Sequence, residues 1–181
     1  MRNGNGVLAN FPLSDSIYAP DVRSIKGETI ERFGEAEWRA IVLTNEIHGH
    51  LGIYSTIGAK MGLYAKSLLQ WDDEPHIVSY AGSRPPVSCF NDGLQISTGA
   101  TIGHGLISVS EEPEKRIEAL FTYGQEELRL KLNESCQMQI AEDIRLGVDR
   151  FGHSKDYWLY IRSLAIKYWS EWDRTNIFDI L

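Results

Sequence analysis

Trp38, Ile41, Val42 and Asn45 recur at helical spacing, and the acids of Gly34-Glu35-Ala36-Glu37 stand where a helix N-terminus favours them. The pattern predicts a helix through Glu46. A second helix is predicted from about Tyr54 to Gln70. Its small residues Ser55, Gly58, Ala59 and Gly62 lie three or four apart and form one smooth face, suited to close helix packing. Trp71 to Pro75 is a turn. His76 to Ala81 reads as a buried strand, Asp92 to Thr98 as a short helix, and Leu106 to Val109 as another strand. Ile117 to Tyr123 and Glu127 to Leu132 flank Gly124-Gln125 as a hairpin. Leu128, Leu130 and Leu132 point one way while Arg129, Lys131 and Asn133 point the other, so one face is wet. Helical spacing returns from Ser135 to about Phe151. Ser154 can cap a last helix, about 154–173, with Trp158, Ile161, Leu164, Ala165, Tyr168, Trp169 and Trp172 as a core stripe or dimer face.

The order helix, helix, strands, helix predicts an α+β class, with helices packed on an antiparallel sheet in one domain spanning 25–181. Residues 1–24, with Pro12 and Pro20, read as an irregular arm, and Ser24 to Phe33 is ambiguous. The 181 residues, 43% hydrophobic and 24% charged, suit a single globular domain. A net charge of -7 argues against nucleic acid or an anionic membrane as partner. No apolar run is long enough to span a bilayer, and the first ten residues lack a signal-peptide layout, so the cytoplasm is expected. Cys89 and Cys136 cannot build a disulfide framework or an iron–sulfur cluster, and no nucleotide or flavin fingerprint follows a strand.

Candidate chemistry concentrates in His48-Gly49-His50-Leu51-Gly52, between the first two helices, and in Cys89-Phe90-Asn91-Asp92. In a helix His48 and His50 would point about 200° apart. In a turn they can converge, and Gly49 gives the backbone that freedom. Two imidazoles and the Cys89 thiolate make three ligands for zinc or a similar first-row ion, with one position open for water or substrate. Asp92 can orient a histidine or act as a general base. Each residue has a plainer reading: helix-capping histidines, a small buried Cys89, and Asp92 as an N-cap. Thr98, Gly99, Thr101, Gly103 and Gly105 can form an anion-binding nest, with His104 as an extra ligand or acid. Lys60 reads as a solvated lysine or a partner for an anionic ligand. His76, His153 and Cys136 read as structural.

These stretches resemble a known family. His48-Gly49-His50-Leu51, followed by Gly58-Ala59-Lys60-Met61, is similar to the opening motif of the FmdE family, whose members are associated with formylmethanofuran dehydrogenase. Cys89 to Gly105 resembles that family's Cys-x-x-Asp-Ala-x-Gln-x-x-Thr-Gly-Cys-Thr-x-Gly-Lys-Gly stretch, and the likeness covers roughly 36–150. The resemblance implies an α+β core, often dimeric, whose two motifs meet at a pocket able to hold a metal. This chain departs from it at Gly52 and Ala100, where the family has cysteines, and at His104, where it has lysine. An aromatic-rich helix ends the chain where some members carry a zinc finger.

Two functions are therefore expected. The first is a metal-binding protein, an accessory protein or a metal-dependent enzyme, with His48, His50 and Cys89 around one ion and Asp92 beside them. Zinc is the first choice, with iron or nickel as alternatives. The second is a non-catalytic module that docks a partner or a small anionic ligand. A homodimer through the smooth helix face or the terminal aromatic helix is expected in either case.

Overall fold

The computed structural model describes residues 7–152 and 154–181. Six helices and five strands are seen among them: α1 Pro20–Phe33, α2 Glu35–His48, α3 Ile53–Leu69, β1 His76–Ser79, α4 Phe90–Thr98, β2 Ile107–Val109, β3 Glu118–Tyr123, β4 Glu126–Leu132, α5 Glu134–Phe151, α6 Lys155–Glu171 and β5 Phe178–Ile180. The strands form one sheet in the order β2-β1-β3-β4-β5. The class is α+β, as the helix and strand periods predict. No described helix is long and apolar enough to cross a membrane.

Three features differ from the sequence expectation. The sheet is mixed, because β1 and β2 run parallel, with Ile77 beside Ile107. Parallel neighbours need a crossover between them, and here the crossover contains α4. The N-terminal arm is shorter than expected, because α1 begins at Pro20. Proline at the first helical position costs no hydrogen bond, and Asp21 follows in the first turn. The arm's first six residues and His153 lie outside the described residues. Finally, β5 pairs with β4, Phe178 opposite Leu132. Three residues after a helix carry too short a pattern to announce a strand.

The helix α3 is the hub. Ile57, Ala59, Met61 and Ala65 are fully buried, and the small-residue face meets α4 backbone to backbone. A Cβ on Gly58 would overlap the Phe90 carbonyl, and one on Gly93 would overlap the Ser55 carbonyl and the Ala59 amide. The smooth face is thus used within the chain and is not free for a dimer. In the same core, Trp38 of α2 stacks on Trp169 of α6 at 4.6 Å between ring centroids. Its indole donates to the Tyr18 hydroxyl at 3.1 Å. In β4, Leu128, Leu130 and Leu132 face the core while Arg129 and Lys131 are half-buried on the outer face.

Lys60 is not solvated. It is 1% exposed, and its Nζ donates to Glu37 Oε1 at 2.5 Å and to the Trp172 carbonyl at 2.7 Å. Glu37, fully buried, also receives Arg174 at 2.7 Å. Burial pulls the Lys60 ammonium below its ordinary pKa, and the Glu37 carboxylate works against that. The cluster ties α2 and α3 to the segment after α6. Removing one member of a buried pair leaves an uncompensated charge, so Glu37→Ala should cost about 3–5 kcal/mol in urea unfolding. A paired Glu37→Leu/Lys60→Met replacement should cost clearly less than the single change. Equal losses would assign the effect to packing rather than charge.

Candidate functional site

The first motif is built by a helix end. Gly49, at φ 83°, closes α2 with a left-handed turn, and its N–H donates to the Asn45 carbonyl at 3.0 Å. Asn45 then ties this turn to the start of α3. Its Oδ1 accepts from the Gly52 N–H at 2.9 Å and the Ser55 hydroxyl at 2.8 Å. Its Nδ2 donates to the Ile41 carbonyl at 2.9 Å and to Thr56 Oγ1 at 3.3 Å. Both ends of one amide are therefore engaged across the break that carries the histidines. The left-handed residue lets the two rings come together, with centroids 4.3 Å apart and planes tilted by 42°.

The second motif reaches the first through the close α3–α4 contact. Asp92 does not cap α4: it stands in the first turn and places Oδ2 2.7 Å from His48 Nδ1. A carboxylate only accepts, so Nδ1 carries a proton, and in the neutral imidazole Nε2 is then the bare nitrogen. That Nε2 is buried and has no hydrogen-bond partner. A Cβ added to Gly52 would stand 3.3 Å from Nε2, and also 2.7 Å from Ser55 Oγ. The Ser55 hydroxyl therefore fills part of the space that a side chain at position 52 would take.

His50 is exposed on its outer side and meets the edge of Trp158 at 6.5 Å between centroids. Burial, and then the neighbouring His48, push its pKa below the ordinary 6.5. It also borders a cavity of about 250 Å³ between α1, α2 and α6, lined by Val22, Leu51 and Trp169 among others. Cys89, half-buried at the foot of α4, has its thiol pushed up by burial and by the charge of Asp92. At neutral pH it is a thiol, not a ready nucleophile. Tyr54 is held above its ordinary pKa by burial, by Tyr157 and by Cys89.

The donors for a metal fit in part. His48 offers an oriented, orphaned nitrogen, backed by a carboxylate as histidine ligands commonly are, and His50 lies beside it. No group of three or more His, Cys, Asp or Glu side chains is gathered closely enough to hold an ion among the described residues. Cys89 therefore does not join the two histidines in a ready-made set.

The glycine-rich loop is elsewhere. Thr98, Gly99, Thr101 and His104 follow the C-terminal end of α4, roughly 12 Å along the helix from Asp92's end. Most of its amides already donate within the chain: Gly99 to Gln95 O, Ala100 to Thr98 Oγ1, Ile102 to Gln95 Oε1, and His104 to Thr101 Oγ1. A helix C-terminus also disfavours an anion. The nest expectation thus loses its donors, and Ala100, fully buried there, is not a vacated ligand position at the histidines. His76 is exposed on β1, and Cys136 is half-buried in α5.

The model of the family described as FmdE, Molybdenum formylmethanofuran dehydrogenase operon, matches residues 47–152, more than half of the chain. The chain belongs to the FmdE family. No curated protein matches it. The FmdE match opens at the His-Gly-His turn and closes after α5, so α6 and its Trp158 lie beyond it.

The sequence singles out His48, His50, Cys89 and Asp92, of which the structure joins His48 to Asp92 and to His50, and it gives no functional part to Asn45, Tyr54 or Trp158. Asn45 carried a signal, since an amide one turn before a helix-ending glycine is placed to bridge the break. Two outcomes are expected. Asn45→Ala, which leaves the Gly52 N–H and the Ser55 hydroxyl without their acceptor, should cost about 2–3 kcal/mol in urea unfolding. In a nitrogen-detected NMR titration His50 should titrate below 6.5. Its unfolded form then binds the proton more readily, so this group's contribution to stability is present above pH 6.5 and is lost as pH falls through the folded value. A His50 midpoint above 6.5 would contradict the structure.

Proposed function

We propose that this FmdE-family protein binds one divalent transition metal, zinc in the first place, through His48 and His50 with Cys89 as the third donor. It would serve as an accessory or metal-dependent protein of formylmethanofuran dehydrogenase-related metabolism. The observation that carries the reading is the bare, buried Nε2 of His48, with its other nitrogen pinned by Asp92. A polar atom buried without a partner costs stability unless something comes to meet it.

Each residue has a part in that site. Asp92 is a positioning residue: it fixes the His48 tautomer and raises the donor strength of Nε2. Asn45 holds the turn that sets the two imidazoles side by side. His50, exposed on its outer face, can turn its ring. Cys89 binds only as the thiolate, so its participation requires loss of the proton that burial now retains. A bound zinc supplies Lewis acidity and an acidified water at such sites.

A second reading rests on a specific observation, the lack of a three-donor cluster among the described residues. In that reading the FmdE core is a binding module, and His48 Nε2 accepts a hydrogen bond from a ligand. Elemental analysis of the purified, untagged protein separates the two. About one ion per chain is expected, lost in His48→Ala and reduced in His50→Ala and Cys89→Ala, with His76→Ala unchanged. Equal metal content in all five proteins would remove the site assignment, and a folded protein with no metal would leave the binding module.

A further inference from the structure

The cavity between α1, α2 and α6 is a built feature of the molecule. Its volume is about 250 Å³. A cavity of about 150 Å³ can hold benzene, so this one has room for a ring carrying a short chain. Most of its lining comes from outside the FmdE match. Only Gly49, His50 and Leu51 fall within 47–152, and the rest belongs to the segment before α1, to α1, to α2 as far as Glu46, and to α6. Two sets of contacts hold these walls together without using a metal donor. Arg162 of α6 donates from Nε and Nη2 to the two carboxylate oxygens of Asp21 on α1, at 2.6 and 3.0 Å. The Tyr18 hydroxyl donates to the Pro12 carbonyl at 2.6 Å and accepts from the Trp38 indole at 3.1 Å.

The lining is apolar except for a few groups, and all of these but one are spoken for. Ile41, Leu51 and Trp169 are buried, and Val22 and Val42 are half-buried. Asn45 spends both ends of its amide within the chain, and the Tyr18 hydroxyl is engaged as above. The Trp169 indole N–H is unpaired, but its nitrogen is shut off from solvent, so a guest meets the ring and not the N–H. The charge of Arg162 is matched by Asp21. Glu46 is left. It is exposed, and its carboxylate has neither a hydrogen bond nor an ion pair among the described residues.

Apolar walls with one uncompensated carboxylate select a guest that has an apolar body and one positive charge. Contact with apolar groups weakens the screening of that charge by water, and an ammonium group donates to a carboxylate through a charge-assisted hydrogen bond. The net charge of -7 also draws cations to the chain. An anion would meet Glu46 and Asp21, with Arg162 already engaged. We propose that this cavity binds a small hydrophobic ammonium compound, its apolar body among α1, α2 and α6 and its ammonium group on Glu46. The proposal uses none of the donors assigned to the metal and does not rest on that reading. It shares a border with that site, because His50 lines the cavity.

2-Phenylethylamine, an ammonium ion at neutral pH, is the probe. 2-Phenylethanol is its neutral counterpart and phenylacetate its anionic one. Full-length ¹⁵N-labelled protein is titrated with each, following the Gly49 amide and the Trp169 indole N–H, with the Gly124 amide of the β3–β4 turn as a remote reference. Saturable shifts are expected at Gly49 and Trp169 and not at Gly124, with the ammonium compound about tenfold tighter than the alcohol and phenylacetate weaker still. Glu46→Gln, an exposed and conservative change, should weaken the ammonium compound about tenfold and leave the alcohol unchanged. Val42→Phe, which fills the cavity, should abolish binding of all three. Equal affinity for ammonium and alcohol, or an unchanged ammonium affinity in Glu46→Gln, would overturn the proposal. So would tightest binding of phenylacetate, which would assign recognition to Arg162, and so would the absence of any saturable shift at Gly49 and Trp169. The same affinities are expected after treatment with a chelator. An ammonium affinity lost with the metal would place the amine on the ion and overturn the cavity assignment.

Discussion

The structure depends on one close approach, that of α3 to α4. Gly58 and Gly93 have no Cβ where the two backbones meet, and any side chain at either position would collide with a carbonyl or an amide. The approach turns two stretches distant in sequence into neighbours, because α4 carries Asp92 and α3 begins where the His-Gly-His turn ends. A helix pair at ordinary separation, about 8–10 Å between axes, would hold the carboxylate farther from His48. The same contact explains the parallel β1–β2 pair, since α4 is the crossover that lets β2 return alongside β1.

Around that contact the chain uses charge and amide groups for rigidity. Lys60 lies on α3 but faces away from α4, into Glu37, Arg174 and the Trp172 carbonyl. It anchors the end of α6 and the approach to β5, so the aromatic helix is held at its C-terminal end by this cluster and near its middle by the Arg162 pairing with Asp21 at 2.6 Å. Asn45 does for the turn what Lys60 does for the helices. The histidine pair is thereby carried by a helix end, a fully bonded amide and a carboxylate. The remaining freedom lies in the exposed ring of His50.

The chemistry of the site follows from what is left unsatisfied. Asp92 takes the proton-bearing nitrogen of His48 and leaves the other bare and buried. Burial holds Cys89 as a thiol and His50 as a neutral base near pH 7. Such a set is poised to receive an electrophile or a proton donor rather than to attack one. The loop after α4, by contrast, has already used most of its donors and sits at the wrong end of the helix for an anion.

The sequence alone determined the elements that depend on local pattern: α2, α3, the β3–β4 hairpin, α5 and α6, with Ser154 as the cap of the last. It also made the family legible, because His48, His50, Cys89 and Asp92 stand in two ordered motifs, of which the structure joins His48, His50 and Asp92. What it left open depended on contacts across the chain. The burial of Lys60 was hidden because its partners lie 23 and 112 residues away. Asp92 read as a helix cap because its real partner is 44 residues back. The pairing of β5, the direction of β2 and the exposure of Trp158 beside His50 were decided by tertiary packing for the same reason. Side-chain pattern reports which face of an element is apolar, while the neighbour that meets that face is chosen only when the whole chain closes.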